Sequence, residues 1–159
     1  MARYDIEEGE YDVGGARFAL VIARFNRDVV SCLCDGALET LRRHGVSEAD
    51  IDTVAVPGAF EIPFMAKRLA ESGRYDAIIT LGAVVRGGTP HFEYVAGECA
   101  RGVADAARAA GVPVIFGVLT TDDMDQALAR AGGKHGNKGS EAAIAAMEMI
   151  TTLRRLGRA

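Results

Sequence analysis

Short apolar runs separated by longer, helically periodic segments organise this chain. The first run, Phe18-Ala19-Leu20-Val21-Ile22-Ala23, shows no polar alternation. An unbroken run of that length predicts a strand buried on both faces, as in a parallel sheet. Comparable runs at 51–56, 75–81 and 114–119 are the second, third and fourth predicted strands. Between the runs the period changes. Val30, Leu33, Cys34, Ala37, Leu38 and Leu41 recur at helical spacing and predict a helix over 28–44, which Gly45 ends. The second strand ends in Pro57-Gly58-Ala59-Phe60-Glu61, and the helix after it runs to Ser72, with Gly73 as its stop. A third helix is predicted over 90–110, because proline suits a first helical turn and Gly111 closes the end. After the fourth strand, Thr121 or Asp122 is the expected cap of a short helix that stops at Gly132-Gly133. A polar glycine loop over 134–139 then leads to a last helix over 140–156.

Strand and helix alternate, which implies α/β class: a three-layer αβα sandwich around a four-stranded parallel sheet, joined by right-handed crossovers. Residues 17–159 are expected to form a single domain. Residues 1–16 are polar, with glycines at 9, 14 and 15, and read as an extended N-terminal arm carrying a short strand around 4–8. Such an arm has too little apolar surface to pack alone. It is expected to fray or to pair with a neighbouring chain.

Composition narrows the function classes. At 159 residues one domain can hold a sizeable core. A net charge of −4, with no basic run before Arg154-Arg155, gives no support for nucleic-acid binding. The apolar run at 18–23 is far too short to span a membrane. Cys32, Cys34 and Cys99 have neither zinc nor thioredoxin spacing, and the histidines at 44, 91 and 135 do not cluster. An odd cysteine count without a secretory leader fits a reducing cytoplasm.

Candidate chemistry collects at the carboxyl ends of the strands, where open parallel sheets bind ligands. The stretch from Thr80 to Val95 reads as a strand end, a glycine turn and a helix start. Glycines at 82, 87 and 88 let backbone approach a ligand, and the N–H groups of the following helix attract an anion. Arg86 and Thr89 add a cation and a hydroxyl, and His91 is the best proton-transfer candidate in the chain. Phe25, Phe60 and Phe116 can sandwich a flat ring or serve as core. Glu61 can accept hydrogen bonds from ring N–H groups or sugar hydroxyls, or act as a first-turn carboxylate. Lys134 and Lys138 share one glycine loop, and Arg130 sits near a helix end.

Several ordered motifs together resemble one family, lumazine synthase (6,7-dimethyl-8-ribityllumazine synthase). They are Arg24-Phe25-Asn26, Pro57-Gly58-Ala59-Phe60-Glu61-Ile62-Pro63, Gly82-Ala83-Val84-Val85-Arg86-Gly87-Gly88-Thr89-Pro90-His91-Phe92, Phe116-Gly117-Val118-Leu119-Thr120, Gln126-Ala127 through Arg130-Ala131-Gly132, and Gly136-Asn137-Lys138-Gly139. Departures are small: Val85 stands where isoleucine is expected, and Gly88 where alanine is common. The resemblance implies a flavodoxin-like sheet and a cofactor-free condensation. The substrates would be 5-amino-6-(D-ribitylamino)uracil and 3,4-dihydroxy-2-butanone 4-phosphate, at the penultimate step of riboflavin biosynthesis.

Carried over, Phe25 stacks on the pyrimidine, with Asn26 and Lys138 beside the pocket. Ala59, Phe60 and Glu61 hold the ribityl side, and Ala83, Val84 and Val85 the pyrimidine edge. Gly88, Thr89 and Arg130 hold the phosphate, and His91 carries protons. Phe116 and Arg130 come from a neighbouring subunit. The resemblance also implies a cytoplasmic homopentamer, association with riboflavin synthase, and, from the short loop before the last helix, twelve pentamers in a 60-subunit icosahedral shell. A flavodoxin-like module that holds a flavin or lumazine without making it is the rival reading, and His91 with Arg130 distinguishes the two.

Overall fold

The computed structural model describes residues 6–158. Four parallel strands form the central sheet in the order β2-β1-β3-β4: β1 Phe18–Ala23, β2 Ile51–Val56, β3 Ala77–Val85 and β4 Val114–Thr121. Helix α1 (Arg27–Arg43) packs with α5 (Lys138–Arg158) on one face. Helices α2 (Ile62–Glu71) and α3 (His91–Ala110) cover the other. The three-layer, flavodoxin-like sandwich expected from the sequence is therefore present. Among the described residues no helix is long and apolar enough to cross a membrane.

The unalternating runs follow from this layering. Phe18 and Leu20 on β1 join Leu33, Leu81 and Met147 in the α1/α5 core, while Ala19 and Val21 join Ile62, Ile78 and Val103 in the α2/α3 core. Every residue of β1 thus meets helix on one side or the other, and fully burying each large apolar side chain contributes about 1.5–3 kcal/mol. Cys99, on α3, lies in the second core, and burial pushes its thiol up to about 12.

One close approach sets the α1/α5 spacing. A Cβ added to Gly139 would overlap the backbone of Leu33, so α5 lies against α1 with no side chain between. Asn137 caps α5 there. Its Oδ1 accepts from the Gly139 and Ser140 N–H groups at 2.8 and 3.2 Å, and its Nδ2 donates to the Cys32 carbonyl at 3.0 Å. One side chain satisfies two orphan helix donors and ties the two helices together.

Four boundaries differ from the sequence reading. Strand β3 does not stop at Leu81. It stays paired with β4 to Val85↔Thr121, so Gly82 is a strand residue and the turn begins only after Val85. A Cβ at Gly82 would meet Ile62 at 3.1 Å and Ala23 at 3.3 Å, so its glycine serves packing rather than bending. Strand β4 likewise runs past Leu119 to Thr121. Helix α4 (Met124–Ala129) is capped by Asp123, whose Oδ1 accepts the Gln126 N–H at 2.8 Å. Thr121 closes β4 instead, and Asp122 faces Arg86. The expected polar loop is an antiparallel hairpin, β5 Ala131–Gly133 with β6 Gly136–Asn137, which leads straight into α5 at Lys138.

The arm also behaves differently in its second half. Val13 and Ala16 are buried in the α1/α5 core. The Asp12 N–H donates to Thr151 Oγ1 at 2.8 Å, Arg154 donates to the carbonyls of Asp12 and Gly14 at 3.0 and 3.1 Å, and the Tyr11 ring meets the His44 ring at a tilt of 57°. Residues 11–16 therefore dock on their own chain. Of the strand expected at 4–8, residues 6–8 are not strand, and 4 and 5 lie outside the described residues.

Candidate active site

The strand order reverses between β1 and β3, and a crevice opens beyond their carboxyl ends. Past β1 the chain stays paired with the segment past β2: the Arg24 N–H donates to Val56 O at 2.8 Å and the Phe25 N–H to Pro57 O at 3.0 Å. This pairing lays the Phe25 ring over Gly58. A methyl group on Gly58 would stand 2.5 Å from a ring carbon, so only glycine leaves the ring where it is. From Gly58 the chain makes a 3-10 turn, Ala59–Glu61, before α2. The turn points Phe60 outward at 58% exposure, leaves Glu61 half-buried and buries Ala59.

Helix α3 completes the crevice. His91 is its first residue, and the His91 N–H lies 3.4 Å from Thr89 Oγ1. One turn on, Tyr94 and Val95 face the same space. The resulting cleft, of about 370 Å³, has Phe25, Gly58, Ala59, Phe60 and Glu61 on one side and His91, Tyr94 and Val95 on the other. Phe25 at 63% exposure and Tyr94 at 71% present large rings to solvent at this cleft. Such an apolar cleft with one carboxylate and one imidazole is what a flat, polar-edged ligand would fit.

The turn 87–90 borders the cleft. Gly87 and Gly88 have negative φ, and a methyl group added to either would meet nothing within 4 Å, so the chain itself demands no glycine there. What favours a small residue must approach from outside. The Arg86 guanidinium does not serve as an open cation. Its Nη1 contacts Glu93 Oε1 at 2.5 Å and its Nε contacts Asp122 Oδ1 at 3.1 Å. It also lies 4.4 Å from the centre of the Phe92 ring. The Glu93 carboxyl is held below the usual range first by the hydrogen bond from Arg86.

Five expected residues, Phe25, Ala59, Phe60, Glu61 and His91, line the cleft together. Gly88 and Thr89 lie exposed in the turn just before His91. The rest sit elsewhere in the chain. Ala83 and Val84 are buried with their side chains in opposite cores, which leaves only strand-end backbone for a ligand, as at Val85. Asn26 has a left-handed backbone, φ 60 and ψ 46, and its Nδ2 donates to the Ala83 carbonyl at 2.9 Å. It clamps the loop after β1 onto β3, and backbone held in that region tends to mark a functional loop.

Phe116 is half-buried within β4 against the α2/α3 core, paired with Thr80. Arg130 follows α4, its Nη1 donating to Gln126 O at 3.0 Å, and the Lys138 N–H donates to Arg130 O at 2.9 Å. Phe116, Arg130 and Lys138 thus do not line the His91 cleft of their own chain. The sequence reading missed Gly58, Tyr94 and Val95 as cleft residues, although Tyr94 stands three residues after His91, one helical turn away.

The family model for 6,7-dimethyl-8-ribityllumazine synthase matches residues 15–154. The chain belongs to that family, a family of transferase-type enzymes of riboflavin biosynthesis.

Proposed function

We propose that the cleft condenses 5-amino-6-(D-ribitylamino)uracil with 3,4-dihydroxy-2-butanone 4-phosphate to give 6,7-dimethyl-8-ribityllumazine. The observation that carries this reading is His91 at the mouth of α3, facing Phe25, Phe60 and Glu61 across one cleft and adjoining the bare Gly87-Gly88-Thr89 turn. The pyrimidine stacks on Phe25 with its edge on the backbone of Ala83, Val84 and Val85. The ribityl hydroxyls meet Ala59, Phe60 and the Glu61 carboxylate. The phosphate lies at Gly88 and Thr89, near the N-terminus of α3, where helix N–H groups favour an anion.

The 5-amino nitrogen attacks the ketone, forming a C–N bond, and water leaves to give an imine. Loss of a carbon-bound proton gives an enamine, and the C–O bond to phosphate breaks with its electron pair on the departing oxygen. The enol left on the neighbouring carbon takes up a proton at the carbon that held the phosphate and becomes a methyl ketone, which the ribityl-bearing nitrogen attacks, and a second water leaves as the ring closes. His91 takes and returns the protons these steps need. The protein adds no redox step. Much of the acceleration comes from holding two reactants together. The test is to follow inorganic phosphate and lumazine together: one phosphate per lumazine, released only when both substrates are present, supports the condensation. Phosphate release without the pyrimidine would count against it.

Because Phe116, Arg130 and Lys138 sit outside the cleft of their own chain, a neighbouring subunit supplies them in this reading. The assembly is a homopentamer, and the tight β5–β6 hairpin ahead of α5 suits a shell of twelve pentamers. Exposed Met124, Leu128, Met149, Leu153 and Leu156 supply apolar surface for such contacts. A scattering mass near five chains at every pH and phosphate concentration would exclude the shell.

Two substitutions separate the substrates. Arg130→Ala removes a charge-assisted contact of about 1.5–3 kcal/mol, so KM for the phosphate-bearing substrate should rise about 10- to 100-fold. An unchanged KM for that substrate would remove Arg130 from the phosphate site. Gly58→Ala should push the Phe25 ring aside and raise KM for the pyrimidine several-fold, since aromatic stacking contributes about 0.5–1.5 kcal/mol. Wild-type KM for the pyrimidine in that variant would mean Phe25 does not stack on it.

A further inference from the structure

Arg86 is the first residue past β3, and its contacts reach two separate segments, the end of β4 and the start of α3. Its N–H donates to Thr121 O at 2.8 Å, which extends the β3–β4 ladder by one bond and fixes the near end of the turn 87–90. Its guanidinium crosses that turn to Glu93 and the Phe92 ring, the two residues that follow His91 in α3. Its Nε reaches Asp122, whose own N–H donates to Gln126 Oε1 at 2.9 Å on α4. The turn is therefore closed from both ends by one residue, through its backbone at the near end and its side chain at the far end. A methyl group added to either of its glycines would meet nothing within 4 Å, so no close packing around them holds their path.

We propose that Arg86 is a positioning residue of the reaction: its guanidinium, joined to Glu93 and Asp122 and stacked on Phe92, fixes the turn 87–90 and so sets Thr89 and His91 against the cleft. The geometry requires arginine. A planar fork can meet two carboxylates and lie on an aromatic ring at once, whereas an ammonium meets one partner at a time. Its Nε and Nη1 are already taken by carboxylates, so the residue does not present an open fork to a phosphate. The Glu93 contact is present above the ordinary carboxylate pKa and is lost only as pH falls through the lowered value of Glu93. The strut is thus intact throughout the neutral range in which the chemistry runs.

This role presupposes the condensation assigned to the cleft, so the test carries a readout independent of turnover. Arg86→Met keeps the side-chain length and removes the fork. Its kcat should fall about 10- to 100-fold, because misplacing a reacting group by about 1 Å costs rate on that order. KM for the phosphate-bearing substrate should rise with it, while KM for the pyrimidine, held by Phe25 and the 59–61 turn, stays at the wild-type value. Arg86→Lys should recover part of the loss, and Arg86→Met combined with Glu93→Gln should be no worse than Arg86→Met alone. Amide hydrogen exchange on the whole assembly should quicken at 87–93 in Arg86→Met and nowhere else.

Wild-type kcat in Arg86→Met would overturn the proposal. So would a pyrimidine KM that rises in parallel with exchange quickening across the whole chain, which is general destabilisation. If the wild-type protein fails to turn over, the assigned condensation falls. Exchange confined to 87–93 would then still show the strut, and unchanged exchange there would remove it.

Discussion

Replacing His91 with asparagine should lower kcat about 10²–10⁴-fold, the range general acid–base help contributes, and should leave both KM values within a few-fold of wild type. Asparagine keeps a hydrogen-bonding side chain of similar reach at the first position of α3, but it cannot take up and return a proton. The cleft walls formed by Phe25, Ala59, Phe60 and Glu61 come from other segments, so they should persist in the variant. Residual turnover above the uncatalysed rate is part of the expectation, because the site still holds the two reactants together. A His91→Asn protein that runs at the wild-type rate under saturating substrates would take His91 out of the mechanism.

Gly139→Ala should cost about 3 kcal/mol or more, at the upper end of what overpacking a close contact costs. The added methyl would overlap the Leu33 backbone, and a helix backbone cannot step aside as a side-chain end can. To admit it, α5 must move off α1, which also breaks the Asn137 bond to Cys32 O and opens the larger of the two cores. The measurement is the midpoint of chemical denaturation at fixed subunit concentration, since association shifts apparent stability. An unchanged midpoint would mean that the two helices do not touch at this point.

The strands were legible because their signal is local. Phe-Ala-Leu-Val-Ile-Ala can be buried only between two layers, and the alternation of such runs with periodic helices leaves few architectures. Phe25, Phe60, Glu61 and His91 were legible through residue types at strand ends, and Ala59 through the resemblance to the lumazine synthase family.

What stayed hidden depends on distant partners. Gly82 looks like a turn residue until β4 is known to run beside it as far as Thr121. Thr121 and Asp122 look like caps, but one ends a strand and the other faces Arg86, and Asp123 takes the cap. The segment after Arg130 has the composition of a loop, yet it forms a hairpin whose last residue, Asn137, bonds to Cys32 on α1, a partner the local sequence does not show. The arm reads as too polar to pack, but Arg154 and Thr151 supply partners for its backbone from more than a hundred residues away. Arg86 reads as a cation beside an anion-attracting turn, and only the fold reveals two carboxylates against it. The bond from the Asn26 Nδ2 to the Ala83 carbonyl likewise shows only once β1 and β3 lie side by side.

The central claim is that this cleft makes lumazine rather than merely holding a flavin-like ring. It is tested most directly by mixing purified protein with both substrates and following lumazine absorbance against the uncatalysed reaction, counting product per subunit. Many turnovers per subunit, well above background, are predicted. Product formed no faster than background, together with tight binding of lumazine or flavin at Phe25, would contradict the claim and leave a binding module in its place.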